Sequence, residues 1–439
     1  MQTPLQRALE EYIRADWARF HMPGHKGAAL EPFGGLMAYD VTEVEGTDSL
    51  FEDDGPLREL EDWFTELYGT SRTVLSAGGS TLCIQAMLKL VARPGGVVLA
   101  GRNIHNAAVN AMALLGLEPV WLYPQREGER LIGRIAPETL ARALEEHPDA
   151  CAVYLTSPDY FGVMQDLPAL SSLCRQAGVP LLVDNAHGAH LKFLQPSLHP
   201  MDLGADLCCD SLHKTLPALT GGALLHCRRP QWVPRLKESM TVFGSTSPNY
   251  LIMLSCDRTA GFLREDGPRR LQETAERCSQ LRQLARERGF SVPEHSDPMR
   301  LTLTLAGTQF DKESFRPLLR EHGIMEEFLS DSGCVLLLSP FNREEDFARV
   351  ERLLQSVTVE PRPVTPWPML YPQKACSLRQ ALLAPRETLP MEQCAGRVAA
   401  QVKSPCPPGI PLVVPGERLQ ENEIKTLKSY GIYTMDVIK

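Results

Sequence analysis

Several things are scarce or missing in this 439-residue chain, and each absence removes a class of protein. No apolar run approaches the ~20 residues needed to cross a bilayer. The opening stretch MQTPLQRALEEYIRADWARF puts Arg7, Glu10, Glu11 and Arg14 where a secretory signal needs an apolar core. The 12 cysteines form no CxxC pair, so the common zinc and redox spacings are missing. Scattered thiols of this kind fit free, mostly buried cysteines in a reducing compartment, and a cytoplasmic location is expected. Basic residues are not in surplus: 45 Lys+Arg stand against 54 Asp+Glu, a formal net charge of −9. That balance is poorly suited to nucleic acid or an anionic membrane surface, and it is compatible with a cationic small molecule. No GxGxxG follows the first strand-like segment, which disfavours a dinucleotide-binding dehydrogenase. There is no internal repeat.

What remains is an ordinary globular composition, 43% hydrophobic and 23% charged. At ~100–200 residues per domain, the length suits two or three domains. Leu5, Ala8, Leu9, Tyr12 and Ile13 recur at helical spacing and predict an opening amphipathic helix. FHMPGHKG, residues 20–27, reads as a loop punctuated by Pro23 and Gly24. Residues 55–69 predict a second helix that stops at Gly69. From residue 73, short apolar strands alternate with helices: TVLSAGG, GGVVLAG, EPVWLYP, CAVYLTSP, VPLLVDNAH, GADLCCDSLHK and GGALLHC. Such strands belong to a mainly parallel sheet covered on both faces, which binds ligands at its strands' carboxyl ends. A long polar helix over 268–287 leads into strands and helices of a smaller α+β unit. VEPRPVTPWPMLYP reads as a Pro-rich linker. The expected division is an arm over 1–35, a large domain over 36–270, a small α+β domain over 271–360 and a C-terminal domain over 361–439.

Four strand ends carry polar residues. SAGGST, residues 76–81, is a strand, a Gly-rich turn and a helix start, an arrangement that suits a phosphate. By itself it is equally a tight turn with Ser80 as N-cap. GRNIH places His105 between a strand and a helix, where a histidine is commonly a cap or a surface side chain. LLVDNAHGAH closes an apolar strand with Asp184, followed by His187 and His190. As a metal site this trio lacks helical i, i+4 spacing and a clean fourth ligand. DSLHK ends a strand with Lys214, which either snorkels to solvent or, if desolvated, becomes a neutral nucleophile toward an aldehyde. Together these ends meet the needs of one cofactor, pyridoxal phosphate. Gly78, Gly79, Ser80 and Thr81 would cradle its phosphate, helped by Ser211 and His213. Lys214 would bond its aldehyde, Asp184 would hold its ring nitrogen protonated and His105 would stack on its open face.

These motifs resemble, in order along nearly the whole chain, those of the bacterial Orn/Lys/Arg decarboxylases. FHMPGHKG, GGST, RNIH, SPDYFGVMQDL, DNAHGAHL, SLHKTLPALTGG, STSPNY and CPPGIPLVVPGE carry the resemblance. It implies an α/β fold of the fold type I, aspartate-aminotransferase-like class. That class has a large domain on a mainly parallel, seven-stranded-type sheet, a smaller α+β domain and a C-terminal extension. It implies Lys214, Asp184, His105 and His213 as the reacting set, with Ala186 and His187 beside the ring and Ser80, Thr81, Ser211 and His213 near the phosphate. Ser245, Thr246 and Ser247 would approach from a neighbouring subunit, since the family's active sites lie at a dimer interface. A homodimer with shared sites is therefore expected, and no metal. The chain looks like the short form, without the receiver-like wing of the long inducible enzymes. Departures from the pattern are Asn185 for Glu, Asn106 and Ala107 for Lys-Ser, Gly221 for Gln, Asp159 for Thr and Cys406 for Tyr. They bear on substrate choice rather than on the cofactor.

The resemblance implies loss of CO2 from lysine, arginine or ornithine, giving a diamine or agmatine. The proton would return to the α-carbon from His213 or Lys214. A cationic side chain needs an acidic receptor, for which Asp48, Asp53, Asp159 and Glu392 are candidates, each equally readable as a solvated surface acid. Two rivals stand beside this reading. An aminotransferase or β-eliminating lyase would use the same fold, and Arg300 is then the arginine to inspect as a carboxylate clamp. A non-catalytic regulatory homologue would have no need of Lys214 or Asp184.

Overall fold

The computed structural model describes residues 2–125, 133–363, 370–404 and 409–439. Cys406, the Pro-Pro pair that follows it and the middle of the Pro-rich linker lie outside the described residues. The chain divides into two compact units, Met1–Leu90 with Leu182–Gln272, and Val91–Leu181 with Glu273–Lys439. Seven strands make a mainly parallel central sheet. They are β1 (Arg72–Ser76), β2 (Val97–Gly101), β3 (Glu118–Leu122), β4 (Ala152–Thr156), β5 (Leu181–Asp184), β6 (Leu207–Ser211) and β7 (Ala223–Cys227). All seven coincide with the apolar runs predicted from the sequence.

In the first unit the strand order is β1-β7-β6-β5. β5 and β6 run parallel, with Asp184 opposite Cys209, while β7 is antiparallel to both its neighbours. The opening helix Pro4–Arg14 seals Leu5 and Leu9 on one face, one turn apart. Its start is held from afar: the Asp257 carboxylate accepts the Leu5 N–H at 3.1 Å and the Gln6 N–H at 3.0 Å. Helix Gly55–Tyr68 buries Leu57, Leu60, Phe64 and Tyr68 at helical spacing and ends at Gly69 in the left-handed conformation. Every residue of β1, β5, β6 and β7 is buried, as strands covered on both faces require.

In the second unit β4-β2-β3 are parallel neighbours. Three antiparallel strands, β8 (Arg300–Thr304), β9 (Phe328–Ser330) and β10 (Gly333–Leu337), form a small sheet in the order β8-β10-β9. Leu301, Leu303, Phe315 and Leu354 lie in its core, beside Leu281 of the long helix Gly267–Glu287. The C-terminal stretch packs a separate core around Met391, Val413, Leu427 and Val437. Its two short sheets pair Gln373–Lys374 with Glu417–Arg418 and Arg386–Pro390 with Thr434–Ile438.

Candidate active site

β5 and β6 deliver the two groups singled out from the sequence. Asp184 closes β5 and is only 2% exposed. Its Oδ1 accepts the Ala186 N–H at 3.1 Å and faces the Cys209 thiol at 3.6 Å. β6 passes directly into one helical turn, Leu212–Thr215, which carries His213 and Lys214. The turn is tied to the glycine pair beyond it. Leu212 donates its N–H to the Gly222 carbonyl at 3.0 Å, and His213 Nδ1 lies 3.1 Å from the same oxygen. Bonded so, His213 Nδ1 carries hydrogen and Nε2 is the bare nitrogen of the neutral ring. Burial lowers the His213 pKa, only partly offset by the Gly222 bond. Lys214 Nζ donates to His187 Nε2 at 3.1 Å.

The Gly-rich turn lies in the same unit. Gly79 opens helix Gly79–Val91 with φ +67 and donates its N–H to the Gly221 carbonyl at 2.8 Å. Gly221 has φ +106, a conformation open to glycine and strained for the glutamine otherwise expected there. Ser80 is half-buried and Thr81 exposed at the helix's N-terminal end, where partial positive charge favours an anion. Gly78 and Thr81 line a cavity of about 440 Å³ together with Leu50, Phe51, Ser245 and Ser247. Ser245 and Ser247 thus line the same cavity as the turn. Thr246 is exposed between them.

Behind the strand ends lies a buried polar network that sequence reasoning missed. Asp210, inside β6 and fully buried, lies 3.0 Å from His199 Nε2 and 3.1 Å from His226 Nε2, and it accepts from Asn185 Nδ2 at 2.7 Å. Burial opposes ionisation there, but the two imidazoles prevail and hold Asp210 well below the usual carboxylate range. A carboxylate inside the apolar run LCCDS was the available signal, because a buried charge demands partners. Among the described residues, the metal-type cluster that converges is His199, Cys208 and Asp210, not the Asp184, His187 and His190 trio weighed from the sequence. Asn185, one of the departures, is thereby explained as an amide donor to a buried anion.

His105 belongs to the second unit. It caps helix Asn106–Leu115, its Nδ1 accepting the Ala107 N–H at 3.0 Å. The acids considered as receptors fare differently. Asp53 is paired with Arg58, Arg72 and Lys237, and Glu392 with Lys428. Asp159 caps its own turn, accepting the Phe161 and Val163 N–H groups at 3.0 and 2.9 Å. Asp48 and Asp159 each have a buried Oδ2 with no hydrogen-bond partner among the described residues, but Asp159 is committed through Oδ1 to two N–H groups and Asp48 is not. Arg300 is 1% exposed and donates to the Asp159 and Tyr160 carbonyls, both at 2.9 Å, so it serves as a brace for that turn.

The residues present fit pyridoxal phosphate. Ser211 Oγ is buried at the end of β6 without a hydrogen-bond partner among the described residues, in one unit with a lysine amine, a buried carboxylate and a helix N-terminus. Solved structures agree on the class. Lysine decarboxylase A from Pseudomonas aeruginosa matches with a TM-score of 0.85 at 20% identity, over 100% of this chain and 80% of that one. An alanine–glyoxylate aminotransferase from Nostoc sp. matches with a TM-score of 0.56 at 20% identity, over 70% and 88%. The fold is that of the fold type I pyridoxal-phosphate enzymes. The sequence narrows the class. The Orn/Lys/Arg decarboxylase major-domain profile matches residues 3–305 and the C-terminal-domain profile residues 358–431. The chain belongs to the Orn/Lys/Arg decarboxylase family. It is 31% identical to the uncharacterized protein YaaO of Bacillus subtilis over 97% of this chain and 94% of that protein. It is 29% identical to an arginine decarboxylase of the same organism, over 96% and 92%.

Proposed function

We propose that this chain removes the α-carboxylate of a basic amino acid, lysine, arginine or ornithine, as CO2, releasing a diamine or agmatine of the polyamine type. The observation that carries the proposal is the pairing of Lys214 with His187 at 3.1 Å, next to a buried Asp184 on the adjacent strand. Lys214 would hold the cofactor's aldehyde, Asp184 its ring nitrogen, and Ser80, Thr81, Ser211 and His213 its phosphate, with Ala186 and His187 along the ring and His105 over its face. Bound there, pyridoxal phosphate supplies a ring that accepts the electrons left at the α-carbon. Lys214 donates to His187 Nε2, so His187 steers the amine without accepting a full charge. His213 is neutral at neutral pH with Nε2 bare, so it takes up a proton before it can return one. Lys214, whose amine lies 3.1 Å from His187 Nε2, is the other candidate donor to the α-carbon. Asp48 is the acid we assign to the substrate's distal cation, because its carboxylate is the least committed of the four considered. The commitment of Arg300 to two backbone carbonyls weighs against an aminotransferase clamp. A homodimer in a cytoplasmic setting accords with the resemblance, and no described helix is long and apolar enough to cross a membrane.

The test is direct. The purified protein's visible spectrum is recorded with added pyridoxal phosphate, and CO2 and amine products are assayed with each of the three amino acids. A lysine-bound cofactor band that disappears in Lys214→Ala, with CO2 from one of them, supports the proposal. A band with no CO2 from any of the three sinks it in favour of another reaction of this fold.

A further inference from the structure

The loop that carries His105 is held by residues some three hundred positions away. Arg102, 4% exposed, donates from Nη1 to Glu417 Oε1 at 2.7 Å and from Nη2 to Glu417 Oε2 at 2.9 Å. Nη2 also donates to the Leu412 carbonyl at 3.0 Å, and the guanidinium lies 4.8 Å from the Trp121 ring centroid. The Glu417 carboxylate is fixed in turn by the Val414 N–H at 2.9 Å. On the other side of the histidine, Ser404 Oγ donates to Asn106 Oδ1 at 3.0 Å. Between these ties, His105 itself forms an antiparallel bridge with Gly409. The loop is thus gripped before, at and after the histidine by one stretch of chain.

A buried ion pair is a poor source of stability, since desolvating both charges offsets most of their attraction. The C-terminal core already has Leu412, Val413 and Leu419 to hold it together. A two-pronged guanidinium–carboxylate pair instead adds direction: both partners must lie in one plane at one register. The ring it serves is already restricted, because Nδ1 accepts the Ala107 N–H and only the placement of the backbone is left to set. We propose that Arg102 and Glu417 are positioning residues for His105, so that the C-terminal domain sets the approach of the His105 ring to the cofactor. This rests on the reading of His105 as the group over the ring face. Neither residue touches substrate or cofactor; both act through the histidine.

The experiment is a double-mutant cycle between Glu417 and His105 on the full chain. Its readouts are the visible circular dichroism of the bound cofactor, the cofactor dissociation rate and the kcat and KM of the accepted amino acid. Glu417→Gln keeps the shape and loses the charge; Arg102→Lys keeps the charge and loses the fork. In the His105-containing protein, each is expected to change the dichroism and to lower kcat by about ten- to a hundredfold, with KM nearly unchanged. In a His105→Ala background the same substitutions are expected to change these quantities less than about twofold, the mark of coupled residues. Equal losses in both backgrounds, tracking a lowered melting temperature, overturn the inference and leave a purely structural pair. If Glu417→Gln does not fold, Arg102→Lys carries the cycle alone. A wild-type protein with no cofactor band overturns the cofactor reading itself, and this inference falls with it, an outcome distinct from equal losses in a protein that binds cofactor normally.

Discussion

Two strand ends in this molecule solve the same problem with opposite means. At the ends of β5 and β6, the groups that would meet the cofactor are fixed by near neighbours: Lys214 and His187 are 27 positions apart, and Cys209 and Asp184 are 25. At the end of β2, the partners of the His105 loop lie 298 and 315 positions away. The first arrangement is complete once two adjacent strands pair. The second exists only after the C-terminal stretch has folded onto its own unit. Under the proposed assignment, the amine and the carboxylate rest on the local device, and the histidine on the remote one.

The comparison can be broken at several points. Lys214→Ala should remove decarboxylation by on the order of 10⁴-fold or more, as losing a covalent group does. Because its ties are local, circular dichroism and melting temperature should stay near wild type. Glu417→Ala should do the reverse first. Leaving Arg102 buried and unpaired is expected to cost about 3–5 kcal/mol in urea unfolding. An apolar pair, Arg102→Met with Glu417→Leu, should regain most of that stability without regaining activity, which would separate cohesion from positioning.

Asp159 sharpens the contrast through pH. Burial pushes its carboxyl up to about 6, against the ordinary 3.8, although the Val163 N–H and Arg300 pull it down. As pH rises the unfolded chain therefore gives up this proton first. Ionised Asp159 penalises the folded state, and its share of stability falls between about pH 4 and pH 6. Asp159→Asn keeps the oxygen that accepts the two N–H groups. Its stability advantage over wild type should grow across that window toward about 3 kcal/mol, read from melts at each pH. A constant difference across the window would discard the assignment. The smallest effect belongs to Ser404→Ala, which removes one neutral hydrogen bond to Asn106 and should cost about 0.5–1.5 kcal/mol.

What could be read in the sequence follows the same division. The seven apolar runs gave the strands, and Asp184 and Lys214 stood out because a charged residue closing such a run needs a reason. The Arg102–Glu417 pair had no local signature, since nothing in GRNIH or VVPGE marks one as the other's partner. Asp53 looked like an open acid in FEDDG, yet Arg72 and Lys237 reach it from other elements. β9, three residues long, is too short to leave a period in the sequence. Asp210 was visible only as an anomaly: His226, 16 positions off, reaches it from the paired strand β7, and His199, 11 positions off, from the segment before β6.

The buried thiols have a practical consequence. Burial, reinforced by Asp210 and Asp184, pushes the Cys208 thiol well above its ordinary range, and burial takes Cys83 and Cys256 up to about 12. Thiolate-seeking reagents will find almost nothing to alkylate in the interior of the folded protein. Among the described cysteines Cys376 alone is partly exposed, at the start of the C-terminal domain. With Cys406 replaced by serine, a maleimide dye at mildly alkaline pH should mark that position, and its signal would report when the domain that grips His105 lets go.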